Sequence, residues 1–295
     1  MNPRLQVALA AMLFSTGGAA IKLSALSGWG VLAGRAAVAA LTILLLVPDA
    51  RRHWNGRALL VALAYAATTT LYVQANKLTT AASTIFLQST SPLFILLLAP
   101  LLLGERASRR DLGSMLVLAA GMVLLFAGTP RRFATAPNPL AGNVLAAACA
   151  VTWALTLLGY RWIAARGGSV ASAATMGNLL ACGVGLSAGG GFPSGSALDW
   201  LVLGYLGVFQ LGLSYVLLTR AVPRLPALEV SLVLLVEPVL NPIWAWLVHG
   251  ETVSRWALLG GAIILGATLH RAWREARGLT TPAATVRGRL PAEEA

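Results

Sequence analysis

Two ionisable side chains, Arg35 and Glu237, stand inside long apolar runs of this 295-residue chain. A charge at the centre of a lipid-spanning helix costs roughly 2.5–3.5 kcal/mol on insertion scales, so each needs a partner or a task. Three chemistries are open. The two could pair with each other as a structural lock. Glu237 could stay neutral in an apolar site and donate a hydrogen bond. Or Glu237 could take up and release a proton.

Around these charges, uncharged polar and aromatic residues recur at helical spacing. Thr84, Gln88 and Ser91 fall at i, i+4 and i+7, on one helix face. Tyr65, Thr69, Tyr72 and Asn76 form a second stripe; Cys149, Trp153, Thr156 and Tyr160 form a third; Glu237, Asn241 and Trp244 form a fourth. One reading is a cavity that hydrogen-bonds a small polar head and packs an apolar or aromatic body. The other is interhelical glue, worth about 0.6 kcal/mol per polar contact in membranes. Tyr160 and Trp162, beside Arg161, are expected to be interface anchors. The candidate substrate-binding residues are Tyr72, Asn76, Thr84, Gln88, Ser91, Trp153, Thr156, Tyr215, Asn241 and Trp244.

Other chemistries lack their residues. His53, His249 and His270 lie in a loop or at helix ends, none deep beside a serine, and no His-Glu-x-x-His pattern occurs. There is no Gly-x4-Gly-Lys-Ser/Thr phosphate loop. Cys149 and Cys182 are too few for a disulfide framework or a zinc site. Neither an enzyme nor a cofactor- or metal-binding protein is expected. A membrane scaffold or a channel is the non-transport alternative.

The elements that must hold these residues follow from composition. Apolar types make up 57% of the chain and charged types 11%, against roughly 25% charged in soluble domains. Ten apolar stretches, at 6–23, 28–47, 57–77, 80–102, 109–127, 139–163, 169–189, 198–220, 227–248 and 254–270, approach the 20 or so residues a membrane helix needs. They are continuous rather than alternating, which indicates helices rather than a barrel. The net charge of +12 comes from 22 Lys+Arg against 10 Asp+Glu. Placing both termini in the cytoplasm puts 16 cations inside and 5 outside, so the excess is a topology signal and not a nucleic-acid surface.

The chain also repeats itself. Pro92, Gly104-Glu105 and Ser108-Arg109 recur as Pro238, Gly250-Glu251 and Ser254-Arg255, at an offset of 146. Tyr72 and Lys77 recur as Tyr215 and Arg220 at an offset of 143, the difference falling in the loop with Pro223 and Pro226. Five stretches per half is an odd number, so the halves thread in opposite senses. Inverted repeats of this kind build secondary transporters with a midplane site. The first stretch resembles a signal peptide ending at Gly18-Ala19-Ala20, but as the counterpart of the sixth it is retained as a helix. Pro92 and Pro238, expected inside helices, would kink them and act as hinges. Gly177, Ala181, Gly185 and Gly189 form a small-residue stripe, expected to pack within one chain. Gly17-Gly18 is either a flexible point or a close crossing.

On the duplicated Pro-x11-Gly-Glu feature, Arg35 and Glu237-Pro238, residues 1 to about 272 resemble the drug/metabolite transporter superfamily, in particular its EamA-like ten-helix exporters. Within that family the chain looks most like the aromatic amino-acid exporters. The resemblance implies an all-α polytopic protein of the bacterial inner membrane. Ten transmembrane helices would form two inverted five-helix repeats, at 1–130 and 131–275, around a cavity lined by helices 1, 3, 4, 6, 8 and 9. A disordered cytoplasmic tail is expected at 276–295. The expected substrates are amino acids with aromatic or bulky apolar side chains, with broad drug efflux as the alternative. The expected partners are a small-molecule substrate and the lipid bilayer, with no nucleic acid, in a monomer or homodimer. The family's small multidrug relatives carry a coupling glutamate in their first helix, whereas here the first stretch has no acidic residue.

Overall fold

The computed structural model describes residues 1–103, 109–221, 224–225, 230 and 233–277. Gly104, Glu105 and Ser108 of the first Gly-Glu feature, Pro223 and Pro226, and positions 278–295 of the expected tail lie outside the described residues.

Among the described residues the chain is helical, without strands beyond one isolated bridge, Phe133 to Ala136. In chain order the helices are α1 (Pro3–Ser15 and Gly17–Leu23), α2 (Gly28–Leu46), α3 (Gly56–Leu78) and α4 (Ala81–Gln88 and Ser91–Leu103). Then come α5 (Arg109–Ala127), α6 (Pro139–Ala164), α7 (Val170–Gly189) and α8 (Ala197–Tyr205, a π-helical stretch Leu206–Leu213, and Ser214–Ala221). The last two are α9 (Val236–His249) and α10 (Arg255–Ala276), so helix continues past position 270 to the edge of the expected tail.

Short polar side chains set the helix starts. Ser27, Asn55, Thr80, Asn138 and Ser169 each accept a backbone N–H from the first turn that follows. Ser196 and Asp199 form a reciprocal capping box at the head of α8. These caps satisfy donors that a helix cannot satisfy itself.

Among the described residues, seven helices are long and apolar enough to cross a membrane: Pro3–Leu23, Gly28–Leu46, Gly56–Leu78, Ala81–Leu102, Pro139–Ala164, Val170–Gly189 and Ala197–Leu218. The three others in the expected set of ten fall short for visible reasons. In α5 the described apolar helix is the shorter Leu112–Ala127. The expected ninth stretch is described as a helix only from Val236. The third, α10, begins at Arg255 and carries Arg271 and Arg274 near its end.

Packing radiates from the polar helices. α3 lies against α6 and α7, α2 against α7 and α8, and α1 against α8 and α9. α4 contacts α6, α9 and α10, while α5 packs along α10. Glycine permits the closest crossings: a Cβ on Gly260 would stand 2.6 Å from the Gly121 carbonyl oxygen, so the α5 and α10 backbones touch. The small-residue stripe of α7 is spent inside the chain, as expected. Gly177 meets Tyr65 and Ala62 of α3, and Gly185 meets Trp29 and Ala33 of α2.

Where the helices break differs from expectation. Pro92 is the second residue of the second α4 piece, and Pro238 the third of α9. Both sit in a first turn, where a missing N–H costs nothing. The discontinuities precede them, at Ser89–Thr90 and Leu235, and the prolines inside helices are Pro100 and Pro242. α1 is interrupted at Thr16, and α8 loosens into eight π-helical residues, a rare conformation that is frequent at functional sites.

Candidate functional site

Two polar regions lie inside the bundle. One sits at the end where α1, α3 and α9 finish and α2, α4 and α10 begin. There Lys22 Nζ stands 2.9 Å from Glu251 Oε1, with side-chain exposures of 2% and 1%. Lys22 also donates to the Thr79 carbonyl at 2.7 Å and to the Thr135 carbonyl. Glu251 accepts from the Thr135 hydroxyl at 2.8 Å and from Ala81 N at 2.9 Å. That last contact puts the carboxylate on the electropositive N-terminus of α4. Thr79 continues the network to Asn143 at 2.7 Å, and Asn143 donates to Thr129 at 3.0 Å. Nearby, Lys77 Nζ donates to the Ser24 carbonyl at 2.7 Å, and Asp199 accepts from Ser24 Oγ and Ala25 N.

The second region is central and far less satisfied. Arg35 on α2 is 2% exposed, and its Nη2 donates to Thr69 Oγ1 of α3 at 2.8 Å. Its Nε and Nη1 have no hydrogen-bond partner. The Tyr72 ring centroid is 6.0 Å from the guanidinium carbon, and Tyr65, Tyr215 and Cys149 are also near enough to feel its charge. Tyr215 meets the rings of Tyr65 and Phe14 edge to face, at 6.2 and 5.9 Å between centroids. Glu237, half-buried on α9, is close enough to Tyr72 for its charge to act on the phenol. Arg35 and Glu237 do not form an ion pair: the one seen among the described residues is Lys22–Glu251.

Between these regions α1 crosses α3, α4 and α9. A Cβ on Gly18 would lie 2.7 Å from Ala81 Cβ, 2.9 Å from Asn241 Oδ1 and 3.0 Å from Asn76 Oδ1. Of the two alternatives for this glycine pair, the geometry shows the close crossing, just after the Thr16 interruption. Asn76 donates to the Tyr72 carbonyl at 2.9 Å but leaves Oδ1 unpartnered, and neither amide atom of Asn241 has a partner.

The remaining sequence candidates divide. Gln88, Trp153 and Tyr215 are half-buried, and Ser91 opens the second piece of α4. Thr84 is fully buried and donates to the Thr80 carbonyl of its own helix. Thr156 donates to the Thr152 carbonyl and meets Thr68 at 3.3 Å, which makes it an α3–α6 contact. Trp244 Nε1 donates to Ser15 Oγ at 2.9 Å, tying α9 to α1. Tyr160, expected to anchor at the interface, instead has a buried hydroxyl without a partner. The ring faces inward because α6 packs this side against α3. Sequence reasoning missed the Lys22–Glu251 network, although Glu251 lay in the repeated Gly-Glu feature. It also missed Gln210, in the π-helical stretch, whose amide sits against Gly17.

The EamA-like transporter family model matches residues 4–127 and again 140–270. The chain belongs to the EamA-like transporter family. It is therefore a multi-pass membrane protein of a transporter family. "Uncharacterized protein PA1977" of Pseudomonas aeruginosa is 36% identical over 239 residues, covering 77% of each chain. A solved structure described only as "Crystal structure of protein" covers 95% of this chain and 98% of its own, with a TM-score of 0.64 and 22% identity. That likeness shows the fold alone.

Proposed function

We propose that the protein is a secondary carrier of the bacterial inner membrane that exports small metabolites by alternating access. Its substrates are amino acids with aromatic or bulky apolar side chains. The observation that carries this reading is the central group of Arg35, Tyr65, Tyr72 and Tyr215, in which the buried Arg35 leaves Nε and Nη1 without partners, in a chain of a transporter family. Aromatic rings suit an apolar side chain, and the unused donors suit a polar head.

The architecture in this reading is ten membrane helices in two inverted repeats, with both termini cytoplasmic. Two features support the repeat. The family matches the two halves separately. The helix contacts also map onto themselves when the halves are exchanged: α3–α6 corresponds to α8–α1, α3–α7 to α8–α2, and α4–α6 to α9–α1. The breaks before Pro92 and Pro238 fall at equivalent places, so α4 and α9 are the elements expected to flex. The Lys22–Glu251 network then seals the outer end while the inner end opens.

Saturable uptake of a labelled amino-acid panel into liposomes holding the purified protein, with and without a pH gradient, tests this reading. Transport of no amino acid in the panel would overturn the substrate class. Glu237→Gln tests proton coupling in the same assay: undiminished, pH-independent transport by a folded variant excludes it.

A further inference from the structure

Arg35 is the buried group whose surroundings answer it least. A guanidinium has five N–H donors in a planar fork and keeps its charge at any physiological pH. Here Nη2 gives one of its two N–H groups to Thr69, while Nε and Nη1 have no partner. Each two-donor edge of the fork, Nε with Nη2 or Nη1 with Nη2, includes Nη2. The second N–H of Nη2 is not spent on Thr69, so one edge is left to take both oxygens of a carboxylate. The ring of Tyr72 lies 6.0 Å from the guanidinium carbon, and Tyr65, Tyr215 and Cys149 are the other ionisable side chains near enough to feel its charge. Among the described residues no carboxylate comes within ion-pair distance of Arg35. A structural role alone would leave a buried charge uncompensated, at a cost of several kcal/mol.

We infer that Arg35 is the specificity residue of the central site and takes the carboxylate of the substrate through the edge of the guanidinium that Thr69 leaves open. The inference rests on the carrier reading above and deepens it, by naming the substrate as a small carboxylate with an apolar or aromatic body. The phenol rings of Tyr65, Tyr72 and Tyr215 border the fork and provide the wall for that body. Thr69, one turn before Tyr72 on α3, holds the guanidinium in place through the other N–H of Nη2. Both free nitrogens are covered in this conformation, so a substrate reaches them as the tyrosine rings or α8 shift. The π-helical stretch and the glycines of α8 that face α2, Gly207 and Gly212, are where such a shift meets least resistance.

Binding to the purified full-length protein, measured by calorimetry, tests the inference with three probes. Phenylalanine carries a carboxylate and an ammonium, 3-phenylpropionate only the carboxylate, and phenylalanine methyl ester only the ammonium. Both carboxylates are expected to bind about tenfold or more tightly than the ester, as charge-assisted hydrogen bonds require. Arg35→Gln should abolish that preference, and Arg35→Lys, which keeps the charge but not the fork, should restore part of it. An ester that binds as tightly as the acids, a preference that survives Arg35→Gln, or no binding of either carboxylate overturns the inference. The wild-type series decides even if the variants fail to fold. Liposome flux separates the two readings: carboxylate preference without flux sinks the carrier and spares Arg35, whereas flux without the preference does the reverse.

Discussion

Lys22 and Glu251, where α1 and α9 finish, and Arg35 at the centre are all buried, yet they live in opposite conditions. Lys22 uses all three of its donors, on Glu251, Thr79 and Thr135, and Glu251 accepts from three groups. Arg35 leaves two nitrogens without partners, Asn241 leaves its whole amide, and Glu237 has no ion pair. A saturated network holds one arrangement and resists change. An unsaturated one retains bonding capacity for something that arrives. The contrast separates a residue that holds the fold from one that reads a ligand, although both are a charge in an apolar chain.

The comparison breaks most easily at Glu251. Glu251→Gln keeps the shape but strands the Lys22 ammonium in a dry site, and removing one member of such a pair costs about 3–5 kcal/mol. Chemical denaturation in detergent should read a loss of that size. The double variant Lys22→Met with Glu251→Leu should recover much of it, because no charge is then left alone. A single variant as stable as the parent would show that the sealed end is not held by this pair.

Gly18→Ala comes next. The added methyl would press on Ala81 Cβ and on the oxygens of Asn76 and Asn241, all within 3.0 Å. Overpacking of this kind costs typically 1–3 kcal/mol, and here it falls between the two regions. A drop in transport larger than the drop in stability would assign the crossing to the moving centre; equal drops would assign it to the sealed end. Ser24→Ala is milder. It removes one donor from Asp199, which keeps Ala25 N and Ser196, so a loss of about 1 kcal/mol is expected in the same denaturation assay.

How much of this contrast could be read from sequence depends on range. Helix-scale features were legible, because apolar length and the Asn, Ser and Thr caps are local. Arg35 and Glu237 were conspicuous for the same reason: each is a charge in an apolar run. What they face was not legible. Their mutual pairing was a reasonable expectation from two opposite charges, and the fold sets Tyr72 near both instead. The Lys22–Glu251 pair was not legible, because its two members stand near opposite ends of the chain. Thr84 and Thr156 shared the spacing of Gln88 and Trp153, yet a threonine can bond its own helix and leave the cavity, which spacing does not reveal. The prolines marked the right places but not the right geometry, since a proline that opens a helical turn reads like one that kinks it. The π-helical stretch of α8 had no sequence signal beyond Gly207 and Gly212, which suit close packing on α2 equally well.

The smallest expected effect on stability is the sharpest test of the contrast. Arg35→Met has nearly the same volume, loses the bond to Thr69 and removes a charge without a counter-ion. The lost bond costs about 1 kcal/mol, and replacing a poorly compensated buried charge with an apolar group of similar size is often neutral or stabilising. Net stability in denaturation should therefore change by no more than about 1 kcal/mol, while carboxylate binding is lost. A protein commonly keeps such a residue at a cost to stability when its function uses it. If Arg35→Met instead destabilised the protein as much as Glu251→Gln, Arg35 would be part of the scaffold, and the distinction between a saturated end and an unsaturated centre would fail.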